Sequence, residues 1–251
     1  METLLLAALG GALVGFLLTL FGGGGSVLAT PWLIYVVGVA DTHVAIGTSA
    51  AAVAVNALTG LVAQARAGRV KWPCASVFGL AGLAGALIGA QLAQRVSGAA
   101  LLHWFAFAMI AIAISMLIPR KNQGNPNVHI TGAIMLRLAP LGLLAGLAAG
   151  FFGIGGWFLI APGLMAATGM TLANAGASSL VSVALFGSAT SVSYALAGKV
   201  LWPLFAALVA GGAVGTVAAL PLAKRLESRA ALARKLFAVL VIGVALYIQI
   251  T

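Results

Sequence analysis

Phe21-Gly22-Gly23-Gly24-Gly25-Ser26-Val27-Leu28-Ala29-Thr30-Pro31 breaks a continuous oily stretch with four glycines in a row. In a helix interior each glycine costs roughly 1 kcal/mol relative to alanine, so four together end the helix. In lipid such a break frees backbone N–H and C=O groups that hydrocarbon cannot satisfy. It persists only where it is buried in protein or lines a polar cavity. The stretch therefore marks either a close helix contact or a site.

The setting is a membrane. Hydrophobic residues make up 63% of the 251 positions and charged residues 6%, with a mean hydropathy of +1.17. Soluble domains carry about one quarter charged residues. At roughly 20 apolar residues per crossing, the chain has room for about eight to ten membrane segments and for no soluble domain of useful size. Met1-Glu2-Thr3-Leu4 lacks the basic start of a cleaved signal, so the first segment is expected to stay in place. The single cysteine, Cys74, excludes an internal disulfide and a CxxC redox pair. The net charge of +10 fits loops that set membrane orientation, and nucleic-acid binding would need a soluble basic face that this composition does not provide.

The opening stretch returns, altered, as Phe152-Gly153-Ile154-Gly155-Gly156-Trp157-Phe158-Leu159-Ile160-Ala161-Pro162. Gly15 matches Gly146, Phe21 matches Phe152 and Pro31 matches Pro162, at a spacing of 131 positions. After the loss of one residue the match continues at 130: Thr48-Ser49 with Ser178-Ser179, Trp72-Pro73 with Trp202-Pro203, Gly85 with Gly215, Arg95 with Arg225. The chain reads as two copies of one unit, a first repeat over 1–119, a cytoplasmic linker over 120–137 and a second repeat over 138–251. Apolar segments are expected at 4–21, 26–39, 43–64, 73–94 and 100–118, then at 138–152, 157–168, 172–196, 202–222 and 233–250. The second segment of each copy is too short to span comfortably, and so is 138–152.

Five crossings per copy, or three plus a re-entrant pair, are both odd, so the second copy enters from the opposite face. Under that topology Arg66, Arg69, Lys71, Arg120, Lys121, Arg137, Lys224, Arg225, Arg229, Arg234 and Lys235 share one side and only Arg95 and Lys199 the other. The positive-inside rule makes the first side cytoplasmic and puts both termini outside it. The expected fold is an all-α polytopic membrane protein of two inverted repeats, each of about five hydrophobic segments with the first two broken or re-entrant at the glycines. Asp41-Thr42 and Thr171 are expected as helix N-caps, and each Trp-Pro pair as an interfacial aromatic with a first-turn proline.

Short, glycine-interrupted segments at matching places in two halves point to a transporter binding site. Helices starting near Ser26 and Gly156 would aim free N–H groups and a positive dipole end at each break, the outline of an anion site. No GxxxxGK[ST] follows, so the glycines are not a nucleotide-binding loop. Thr48, Ser49, Ser178 and Ser179 are candidate lining hydroxyls at matching repeat positions, with Asn56 and Ser182 further along the same segments. Single membrane hydroxyls more often bond their own helix. Asn174 aligns with His43. The only carboxylates are Glu2, Asp41 and Glu227, so Asp41, His43 or His103 would have to handle a coupled proton, with Asn56 and Asn174 as further coupling or gating candidates.

The glycine run closing at Pro31, Ala45-Ile46-Gly47-Thr48-Ser49, Gly150-Phe151-Phe152-Gly153-Ile154-Gly155-Gly156 and Lys199-Val200-Leu201-Trp202-Pro203 together resemble the TauE/SafE sulfite exporter family, also described as the TSUP anion permeases. The resemblance covers essentially the whole chain. It implies a transporter of sulfite, thiosulfate, sulfonates or related organic anions across the bacterial inner (cytoplasmic) membrane. It places the substrate at Gly22, Gly23, Gly24, Gly25, Ser26, Thr48, Ser49, Gly153, Gly155, Gly156, Ser178 and Ser179. One departure stands out: the tetraglycine has no apolar residue where the second copy has Ile154.

The resulting expectation is a secondary transporter and not an enzyme, working by alternating access, without cofactor or metal. Its partners would be a small anion, the lipid bilayer and a coupling proton or sodium ion, with no nucleic acid. A passive anion channel using the same site is the alternative. No HExxH, intramembrane acidic pair or cysteine pair supports catalysis.

Overall fold

A computed structural model of the chain describes residues 2–21, 24–117, 124–125, 128, 130–153, 157–226 and 230–250. In chain order they form α1 (Glu2–Phe21), a 3-10 turn (Gly24–Leu28), α2 (Ala29–Tyr35), α3 (Thr42–Arg66), α4 (Trp72–Ala93) and α5 (Gly98–Leu117). The second half repeats the series as α6 (Gly132–Phe152), α7 (Trp157–Thr168), α8 (Leu172–Leu196), α9 (Trp202–Leu226) and α10 (Ala230–Ile250). The protein is an all-α polytopic membrane protein. Among the described residues, six helices, α1, α3, α4, α6, α8 and α9, are long and apolar enough to cross a bilayer, and α5, α7 and α10 carry shorter apolar stretches.

The punctuation is chemical. Asp41 accepts from the His43 N–H at 2.8 Å and Thr171 from the Asn174 N–H at 3.3 Å, so both expected N-caps start their helices. Pro73 sits in the first turn of α4. Helices α3 and α8 end alike, with Arg69 N–H donating to the Gln64 carbonyl and Lys199 N–H to that of Tyr194. One boundary moves: α6 starts at Gly132, capped by Thr131, and not at 138. Arg137 and Pro140 read as a boundary in sequence, yet both are exposed, where a charge meets water or headgroups and a missing N–H is tolerated.

Helices cross at small residues, as apolar helices in lipid must when van der Waals contact is the main adhesive. Along α6, Gly142, Gly146 and Gly150 lie against the backbone of Phe78, Gly82 and Ala86 of α4, so the two run parallel. Along α1, Gly11 and Gly15 lie against Leu208 and Gly212 of α9 in the same way. The sequence offset turns one set of contacts into the other with the halves exchanged. The matching helices α3 and α8 pack together and run antiparallel, from Gly47 against Tyr194 at one end, through Ala54 against Gly187, to Gly60 against Leu180 at the other. They are the most buried long helices and form the centre of the bundle. α5 pairs with α10, where the Gln249 side chain reaches the His103 carbonyl.

The segment after α1 turns back. Gly25 lies against Val14, Leu17 and Leu18, and Trp32 packs on Gly10 with its indole N–H on the Leu6 carbonyl at 2.9 Å. The 3-10 turn and α2 thus climb back along α1, twelve residues that are too few to cross a membrane. In the second copy α6 stops at Gly153, whose φ of +67° is a left-handed cap, with its N–H on the Ala149 carbonyl. A side chain there would also meet Ile46 of α3. Glycine is required at Gly153 on both counts.

Candidate functional site

The two return legs meet: the 3-10 turn of the first copy touches α7 of the second. The level of this meeting follows from neighbours. Gly25 lies beside residues 14–18 of α1, Gly15 beside Gly212 of α9, and Gly212 beside the Asn56 side chain. Asn56 stands two positions past the middle of α3 (Thr42–Arg66). Gly25 and Ser26 therefore sit near half height.

Above them a buried hydroxyl chain leads away from the turn. Thr30 Oγ1 lies 2.8 Å from Ser49 Oγ, and Ser49 donates to the Ile46 carbonyl at 3.1 Å. With the Ser49 hydrogen so used, Thr30 supplies the hydrogen between the two hydroxyls. Ser26, Thr30 and Ser49 are all at most 2% exposed. This cluster joins the return leg of one copy to central helix α3 with hydroxyls and without a charged side chain.

The other expected hydroxyls lie elsewhere. Thr48 Oγ1 accepts from the Leu201 N–H at 3.0 Å, just before α9. Its counterpart Ser178 accepts from the Lys71 N–H at 2.9 Å, just before α4. Both tie a helix start of the opposite copy to the central pair. Because α3 and α8 run antiparallel, Thr48 and Ser178 are separated by about 20 Å along the bundle at 1.5 Å per residue. Ser179 donates to the Gly176 carbonyl of its own helix at 2.7 Å. The structure thus joins Ser49 to Thr30, buries Ser26 in the turn just before α2, and ties Thr48 and Ser178 to backbone starts. Gly22, Gly23, Gly155 and Gly156 lie outside the described residues, while Gly24 begins the 3-10 turn.

Thr30 is the member that sequence reading misses. Its counterpart at the 131 spacing is Ala161, so the repeat gives it no signal; only its place one residue before Pro31 could have drawn attention. The pairing of His43 with Asn174 also changes. Gly38 and Gly169, both with positive φ, still match at 131, whereas the caps Asp41 and Thr171 match at 130. The lost residue lies between those points, and His43 falls opposite Ala173.

Asn56 is buried at 2% exposure, and its Oδ1 has no hydrogen-bond partner. Phe186 takes the equivalent place, against Gly82 as Asn56 is against Gly212. The halves are inequivalent at this level, one polar and one aromatic. Asp41 is an exposed cap, and exposed His103 bonds through Nδ1 with the Ala99 carbonyl one turn back. Four described basic residues, Arg66, Arg69, Lys71 and Arg137, lie at the end of the bundle where α4 and α6 begin; Arg95 and Lys199 lie at the other.

Comparison with known proteins matches this architecture to a transporter family. A probable membrane transporter protein of Xylella fastidiosa strain Temecula1 is 42% identical over 248 residues, covering 98% of this chain and 95% of its own. The probable membrane transporter protein YunE of Bacillus subtilis strain 168 is 25% identical over 229 residues, covering 82% and 83%. No solved structure matches the chain. The family model for sulfite exporter TauE/SafE matches residues 7–248, nearly the whole bundle from α1 to α10, and the chain belongs to that family.

Proposed function

We propose that the protein is a secondary transporter that moves a small sulfur-containing or organic anion, of the size of sulfite, thiosulfate or a small sulfonate, across the cytoplasmic membrane by alternating access. The observation that carries this reading is the meeting of the return legs at half height beside the buried hydroxyls of Ser26, Thr30 and Ser49. Return legs that stop inside the membrane leave backbone N–H groups free to face a ligand, and the positive dipole end of α7, a twelve-residue helix that touches the turn, adds a favourable field for an anion where it is reached. When an anion arrives, Thr30 turns its hydrogen from Ser49 to the anion. A neutral hydrogen bond is replaced by a charge-assisted one, roughly twice as strong.

The end carrying Arg66, Arg69, Lys71 and Arg137 faces the cytoplasm, so α1 and α6 enter from opposite faces and both termini lie outside. Access alternates as each return leg and its supporting helix move relative to the central α3 and α8 pair. A proton or sodium ion supplies the coupling.

The test is thermal stabilisation of the detergent-purified protein by sulfite, thiosulfate, sulfate, methanesulfonate, acetate and chloride at matched ionic strength. A ligand that binds only the folded state adds about 2.7 kcal/mol at a hundredfold excess over Kd. Stabilisation by a sulfur anion that Thr30→Val removes supports the reading. Equal behaviour of all anions at millimolar concentration counts against it.

A further inference from the structure

At the end of the bundle where α3 begins, the ring of His43 stacks on that of Tyr194 from α8, with centroids 6.1 Å apart and planes 30° apart. Tyr194 is fully buried, yet its hydroxyl has no hydrogen-bond partner, and neither has the buried Nδ1 of His43. Around them lie Ile46, Leu101 and Val200, an apolar layer that offers no partner. Buried polar groups are nearly always paired, so two orphans on one ring stack call for an explanation. The repeat gives none, because the matching positions at the opposite end hold Ala173 and Gln64.

A neutral imidazole carries one N–H and one bare lone pair, and on His43 the buried Nδ1 is the ring atom left without a partner. Among the described residues, the charges acting on the ring are Asp41 just before α3 and Lys199 just after α8, of opposite sign, and Tyr194 is the remaining titratable group against it. The other sequence candidates are engaged: the Asp41 carboxylate caps α3, and His103 bonds its own helix in an exposed position.

We propose that His43, with Tyr194 beside it, is where this transporter takes up and releases a coupling proton; the inference rests on the transporter reading above. A proton from the aqueous phase at that end binds the Nδ1 lone pair and forms the imidazolium. The unpaired Tyr194 hydroxyl is the polar group on the ring stacked beside it, and release reverses the step. Only the N–H bond forms and breaks. Coupling to the substrate path runs through Ile46, one turn along α3, which packs against Gly153 where α6 ends and the second return leg begins.

Two measurements test this, one of them independent of any substrate. The protein contains three histidines, so imidazole nitrogen spectra of histidine-labelled protein can be assigned with His43→Gln. We expect the His43 ring to pass from the neutral form to the imidazolium as the pH is lowered across the range in which the protein stays folded, with a midpoint that Tyr194→Phe moves. A single protonation state throughout that range overturns the proposal whatever is transported.

In proteoliposomes, methanesulfonate is the probe because its charge does not change with pH. His43→Gln is expected to lower the ratio of pH-gradient-driven accumulation to exchange at symmetric pH by about tenfold. An unchanged ratio overturns the proposal. Wild-type vesicles that move neither methanesulfonate nor sulfite contradict the substrate reading, and the histidine titration then decides the proton site by itself.

Discussion

The Thr48 hydroxyl accepts the Leu201 N–H at 3.0 Å across 153 positions of sequence. The bond satisfies a backbone donor ahead of α9 and fastens that helix start to α3. Ser178 does the same for Lys71 and α4. Thr48→Val keeps the volume and leaves the Leu201 donor unpaired, at a cost of about 1–2 kcal/mol. Thr48→Ser keeps the acceptor and is expected to stay within about 0.5 kcal/mol of wild type. Unfolding of the two variants in detergent measures the difference.

The helix crossings predict a contrast between glycines. A Cβ on Gly146 would run into the Gly82 backbone of α4, and only backbone movement could relieve it. A Cβ on Gly243 meets nothing within 4 Å. Gly146→Ala should lower the yield of monodisperse protein and cost about 1–3 kcal/mol as an overpacked contact. Gly243→Ala should be neutral or gain up to about 1 kcal/mol from helix propensity. Size-exclusion profiles and thermal midpoints of the two variants decide it.

Thr30→Val removes the hydroxyl that reaches Ser49 while keeping shape. Loss of one charge-assisted hydrogen bond of about 1.5 kcal/mol weakens anion binding by roughly tenfold. Thr30→Ser, which keeps the hydroxyl, should retain most of the affinity. Anion-dependent thermal shifts titrated over concentration give both numbers.

The proposed orientation predicts opposite labelling. In a Cys74→Ala background, which removes a buried thiol, Arg69→Cys should react with an impermeant thiol reagent only from the cytoplasmic side, and Arg95→Cys only from the outside. Labelling intact cells and inverted vesicles separates the two. The same sidedness for both cysteines would contradict the orientation.

Much of this fold was legible because single residues carried strong local chemistry. Asp41 and Thr171 cap, Pro73 opens a helix and the glycine runs stop one, each by forces acting within a turn or two. The start of α6 was not legible because Arg137 and Pro140 mimic a boundary, and only their exposure reveals that the helix tolerates them. The repeat offset pointed to Thr48 and Ser178 as a matched pair, which they are in contact pattern. It could not say that antiparallel packing of α3 and α8 carries them to opposite ends. Thr30 was hidden because its partner Ser49 is 19 positions away and its repeat counterpart is alanine. His43 and Asn174 were aligned one residue out because the loss in the loop after Gly38 is visible only from the caps and the glycine dihedrals.

Countertransport tests the central claim most directly. Proteoliposomes preloaded with unlabelled sulfite and diluted into labelled sulfite, with no electrical or pH gradient, should accumulate label transiently above equilibrium, because a carrier that must reorient returns faster with substrate bound. Thr30→Val should reduce that overshoot by roughly tenfold. Label that rises only to equilibrium, at a rate that does not saturate with concentration, would mean a passive pore and would contradict alternating access at this site.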